Sequence, residues 1–120
     1  MGYRRDLFPS QARTASPTPA EVTEDITGAR IVIDVTAITS TPSVTFNVEG
    51  HDGLSDKWFL VLASAAIATV STTVLTIFPN APVTANVSAN NVIPGHWRLR
   101  PVHGNANSIT YTVGAELFKL

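Results

Sequence analysis

The chain has 120 residues, a net charge of −1 and no cysteine, and only 14% of it is charged, against about 25% in an ordinary soluble domain. These values exclude a basic field able to hold nucleic acid or an anionic membrane, and with them disulfides, thiolate metal sites and cysteine nucleophiles. Thr, Val and Ile make up 36 of the 120 residues. Such side chains fit a pleated surface better than a helix, so helix-rich architectures fall, and the apolar content is too high for a disordered chain.

The N-terminus carries Arg4 and Arg5 with no apolar stretch behind them, so no signal peptide is expected. Asp6 stands where N-myristoylation wants Ser or Thr. The longest apolar run, residues 58–68 broken only by Ser64, is 11 residues, short of the roughly 20 that span a bilayer. Residues 1–25 hold three of the eight prolines (Pro9, Pro17, Pro19) and seven of the 17 charged residues. They show no sustained apolar period and predict an extended N-terminal arm. Tyr3, Leu7 and Phe8 cluster at its start, where a plain linker has no use for them.

After residue 25 the pattern is strand-like. Residues 30–39 alternate, with Ile31, Ile33, Val35 and Ala37 predicted inward. Residues 43–49 repeat this with Val44, Phe46 and Val48, and the two segments suggest an antiparallel pair. Residues 50–56 read as a loop. Residues 57–64 are apolar on both faces, which predicts a central strand buried on both sides. Residues 65–70 fit either a helical turn or a strand end. Residues 72–78 predict a fourth strand, and 79–91 a long loop of small and polar residues. Asn86, Asn90 and Asn91 within it suit turns and left-handed positions.

Residues 96–102 predict a fifth strand with Trp97, Leu99 and Pro101 on one face, and Pro101 points to an edge or a strand end. Residues 108–113 run back with Ile109, Tyr111 and Val113 together. Gly114 suggests a bulge, and residues 115–120 continue the strand. The sum is an all-β chain: a single antiparallel β-sandwich or partly closed barrel of six to seven strands over residues 26–120, preceded by the arm.

The titratable stock is thin. His51, His96 and His103 form no metal-ligating pair at helical spacing, and no serine sits in a nucleophile elbow. No phosphate-cradling glycine loop is present. No catalytic, cofactor-binding or metal-binding residues are expected. His51, Asp52 and Asp56 lie within six residues, but the carboxylates are four apart with no bidentate Glu after them, so a solvated hairpin loop with Asx turns is predicted rather than a calcium loop. Arg98 and Arg100, with His96 extending the row, point to one side of a strand. Cross-strand pairing with an acidic neighbour such as Glu49 or Glu116 is expected; a polar protein contact is the alternative. Trp58 and Trp97 read as core or interface anchors before sugar platforms.

Residues 44–52 (V-x-F-x-V-E-G-x-D), 58–67 (WFLVLASAAI), the loop from Asn86 to Asn91, residues 94–100 (PGHWRLR) and 108–115 (SITYTVGA) together resemble small structural proteins of tailed phages that infect actinobacteria. These are capsid decoration, or minor capsid, proteins. The resemblance covers about residues 28–118 and leaves out the arm. It implies a non-catalytic virion protein on the capsid surface, assembled in the host cytoplasm without cofactors. It implies the major capsid protein and other copies of the chain, as a homo-trimer, for partners, with no nucleic acid and no membrane. Such a protein stabilises the head by bridging capsid subunits. Tyr3, Arg4, Arg5, Leu7, Phe8, Trp97, Arg98 and Arg100 are the expected contact residues, the first five because an extended arm can add a strand to an exposed sheet edge. The alternatives are a tail or baseplate β module binding host-surface carbohydrate through Trp97, Arg98, Arg100 and the 79–91 loop, or a head–tail joining or tail-tube protein.

Overall fold

Alternation of apolar and polar residues every second position puts one face of a strand in the core and the other in water. A computed structural model of the chain, describing residues 2–119, shows nine strands built on that rule. They are β1 (Gly2–Arg13), β2 (Ala20–Thr23), β3 (Gly28–Ile38), β4 (Val44–Asp52), β5 (Lys57–Ala63), β6 (Ser71–Phe78), β7 (Ser88–Asn90), β8 (His96–His103) and β9 (Ile109–Phe118). A five-stranded sheet runs β1-β9-β3-β6-β7 and a four-stranded sheet runs β2-β8-β4-β5. The two pack face to face as a sandwich with no closed barrel, and no helix occurs among the described residues.

Both inner faces supply the core. Ile31, Ile33, Val35, Leu75, Ile77, Ile109, Tyr111 and Val113 come from the larger sheet, and Val22, Val44, Phe46, Val48, Leu62, Trp97 and Leu99 from the smaller. Phe46 meets Tyr111 edge-to-face across the sandwich, with ring centroids 5.1 Å apart, a geometry that adds to the plain burial of two aromatic rings.

The segment set apart as an arm carries β1 and β2, one in each sheet. β1 lies along β9, Gly2 opposite Phe118 and Arg13 opposite Ile109, with two register shifts. One falls between Asp6 and Phe8, the other between Phe8 and Gln11 around Pro9, which has no N–H to give a ladder. The bulge expected at Gly114 is therefore in the partner strand, while β9 passes Gly114 in regular register with β3. Leu120, the end of the expected last strand, lies outside the described residues.

Several expectations are revised. β3 pairs with β6 and β9 in the larger sheet and β4 with β5 and β8 in the smaller, so the first two segments do not pair with each other. In β3 a register shift between Val35 and Ala37 flips the alternation. Ala37 is thereby exposed and Ile38 packs on the core. β5 is an edge strand, not a central one: Phe59 and Leu60 are 47% and 58% exposed. β8, in contrast, is central, between β2 and β4. Its Pro101 is tolerated because β2 pairs only with residues 96–99, so the missing N–H falls where no strand follows. Beyond it, the His103 N–H donates to Ser16 Oγ.

Residues 65–70 form neither a helical turn nor a strand; Ile67 makes an isolated bridge to Val44 through two backbone hydrogen bonds. The 79–91 segment contains β7, paired parallel with β6. Asn86 adopts the left-handed backbone expected of it, with φ 63°. Asn90 and Asn91 instead use their side-chain oxygens to accept from the N–H groups of Asn80 and Val92.

Candidate functional site

The outer face of the four-stranded sheet gathers most of the polar chemistry. On β8 the inward residues Trp97 and Leu99 leave His96, Arg98 and Arg100 pointing out. Register places Glu49 of β4 opposite Arg98, and His51 opposite Trp58 of β5. On the other flank, Glu21 of β2 also stands opposite Arg98. Residues far apart in sequence thus form one continuous row across four strands.

Glu49 is its centre and is only 7% exposed. Arg100 grips it through Nε and Nη2, the latter at 3.0 Å, and Arg98 donates from Nε at 2.7 Å. Burial alone would raise its pKa; the hydrogen bonds and charges of Arg100 and Arg98 outweigh that and hold the carboxyl below its ordinary value. Both carboxylate oxygens are committed, so Glu49 is a poor proton donor near neutral pH. Arg98 also lies over the Trp58 ring, 4.1 Å from its centroid, a cation–π contact. His51 and His96 pack beside Trp58 with centroids 4.7–5.0 Å apart. His51 meets Asp56 and His96 meets Glu21, each at 2.8 Å. Each charged or polar group in the row is turned toward another member of it.

The expected contact residues fall in three places. Tyr3, Arg4 and Arg5 are exposed on the first half of β1. The Tyr3 hydroxyl donates to Glu24 and Arg5 forms an ion pair with the same carboxylate, while Arg4 stands opposite Glu116. Leu7 is half-buried and Phe8 buried, both against the core. Arg98 and Arg100 lie in the row around Glu49. Trp97 is wholly buried, and its indole Nε1 has no partner. Its side chain therefore fills volume and reaches no surface, which removes it both as a contact and as a sugar platform.

The 51–56 loop behaves as the Asx-turn reading predicts: the Asp52 carboxylate accepts from the N–H groups of Leu54 and Ser55 and from the Ser55 hydroxyl. Among the described residues no group of three or more His, Asp or Glu is placed to hold a metal.

Sequence reasoning missed Arg13. This guanidinium, 8% exposed, donates to the carbonyls of Pro9, Gln11 and Tyr111 and stacks 4.5 Å from the Tyr111 ring. It locks the irregular second half of β1 beside an open cleft of about 520 Å³ lined by Phe8, Gln11, Thr14 and Pro17 among others. No sequence signal marks it, because its acceptors are backbone carbonyls. No protein-family model, curated protein or solved structure matches the chain.

Proposed function

We propose that the chain is a structural virion protein of a tailed phage that decorates and stabilises the capsid by bridging major capsid subunits. The observation that carries this reading is β1: a twelve-residue strand at the free edge of the five-stranded sheet, presenting Tyr3, Arg4 and Arg5. Pro9 and two register shifts interrupt its outer ladder, so what it offers a partner is chiefly the exposed Tyr3, Arg4 and Arg5 side chains. The motif resemblance in residues 28–118 points the same way. So does the hydroxyl-rich, charge-poor composition, which lowers the desolvation cost of burial against a neighbour. The carbohydrate-binding alternative loses its platform, because Trp97 is buried and the Trp58 ring is covered by Arg98.

Imaging purified particles with the chain located in them tests the proposal. Hundreds of copies on the head surface are expected, and heads lacking the protein should open at a lower temperature. Six or twelve copies in a ring at the head–tail joint, or absence from every head position, would overturn it.

A further inference from the structure

No Asp, Glu, Lys, Arg or His stands between Lys57 and His96. All 17 charged residues lie in the segments before and after this uncharged span of 38 residues. The fold keeps the span together. β5 is the edge of the smaller sheet, and β6 and β7 form the corresponding edge of the larger. The Asn86 side-chain amide donates to the Ala63 carbonyl, tying the 79–91 segment to β5. Gly50 lets Phe59 and Pro94 close over the same point: a Cβ there would stand 2.6 Å from Phe59 Cζ and 2.6 Å from Pro94 Cγ.

The same span holds most of the exposed large apolar side chains. Among the described residues nine large hydrophobic side chains are exposed, and seven of them are in the uncharged span: Phe59, Leu60, Val70, Val74, Val83, Val87 and Val92. Val83 reaches 75%. A concentration of exposed apolar side chains on one uncharged segment is a mark of an interaction site. The edge is also unguarded. Natural edge strands are blunted by charge, proline, bulges or shortness. β1 carries Pro9, three charges before it and two register shifts, and β2 and β7 have four and three residues. β5 offers seven residues with one charge, at its first position, and one register shift.

We infer that this uncharged side is an interface with a second copy of the chain, β5 against β5 antiparallel about a two-fold axis. Charge decides the occupant. A charged partner surface would bury unpaired charges against this span, which is costly, whereas the same span of another copy carries no charge of its own. Asn86 occupies the edge at Ala63, leaving residues 57–62 open. Antiparallel self-pairing centred on Leu60 sets Phe59 opposite Val61 and Trp58 opposite Leu62 and keeps the two lysines apart, so every cross-strand pair at its centre is apolar. A stable interface needs about 800 Å² per partner, roughly an eighth of the 6265 Å² surface.

The test is the mass of the purified full chain in solution, by sedimentation or light scattering at about 100 µM. Twice the 12.8 kDa chain mass is expected. Leu60→Glu and Val83→Glu, both at exposed positions, should each return the mass to that of one chain with an unchanged circular dichroism spectrum. Thr112→Glu, on the outer face of the other sheet, should leave the dimer intact. Leu60→Cys should cross-link spontaneously under oxidation, and Leu54→Cys in the adjoining loop should not. A wild-type mass of one chain or of three, or a dimer indifferent to both glutamates, would overturn the inference. Because this readout needs no phage particle, its failure is separate from failure of the capsid reading.

Discussion

Removing the carboxylate at the centre of the charged row is the sharpest probe of what holds the four-stranded sheet. Glu49→Ala leaves Arg98 and Arg100 facing each other over a vacated site. Breaking a fully buried pair costs about 3–5 kcal/mol. Here the side chains of Arg98 and Arg100 retain 20% and 39% exposure against 9% for Glu49, so water recovers part of the loss and about 2–3 kcal/mol is the better figure. At about 2.1 cal/mol/K per residue, a chain of 120 residues converts that into a Tm about 10 °C lower. The deficit should depend on pH. Glu49 titrates below its ordinary value of 4.5 in the folded chain. Its contribution is therefore complete above that value and is lost as pH falls through the depressed folded pKa. Thermal melts followed by circular dichroism at pH 7 and near pH 2.5 read both effects, and the gap between wild type and variant should close in acid. Asp52, also held low by its Ser55 and Leu54 hydrogen bonds, adds its own acid slope, so the comparison belongs in an Asp52→Asn background. A gap below about 2 °C at pH 7, or one that persists unchanged in acid, refutes the reasoning.

Three further outcomes are expected. Phe8→Ala should destabilise the chain by about 3 kcal/mol in urea unfolding, because the ring is buried against Tyr111; a value under about 1 kcal/mol would mean that β1 packs only at its margin. His103 is held below the ordinary 6.5, by burial first and then by the Arg13 charge. Stability should therefore fall as pH drops from 6.5 through the folded pKa, and His103→Gln should flatten melts across that window. Tyr111, pushed up to about 12 by burial, should show no phenolate absorbance until that pH in a spectrophotometric titration of folded protein, and Tyr111→Phe should remove the late step.

Where a strand keeps one face in the core, its alternation was legible: Val44, Phe46 and Val48, Trp97 and Leu99, and Ile109, Tyr111 and Val113 all point inward as their spacing predicts. Charge pairing was legible too, since Glu49 does receive Arg98 and Arg100, while Glu116 goes to Arg30. Two things were not. An apolar run such as 58–62 has the same hydropathy whether a second sheet covers it or it forms an uncharged edge, so its pattern points to a central strand where the fold makes an edge. β1 hides because Pro9 and its bulges break the period by which a strand is recognised, and the Arg13 contacts that hold it are to backbone carbonyls. β7 escapes for another reason: three residues paired in parallel leave no hairpin signal.

The strand order also governs when this chain can fold. β8 is the middle strand between β2 and β4, and β9 the middle strand between β1 and β3. Both sheets therefore wait for the last two strands to leave the ribosome, and every earlier strand except the β4–β5 hairpin and the β3–β6–β7 group lacks its partner until then. Contacts of such long sequence separation form slowly. In that interval the apolar segments of β1 to β5 stand exposed to one another and to other nascent chains. A stop codon placed before residue 96 would thus remove the centre of each sheet rather than trim an edge, and the product should be recovered as aggregate.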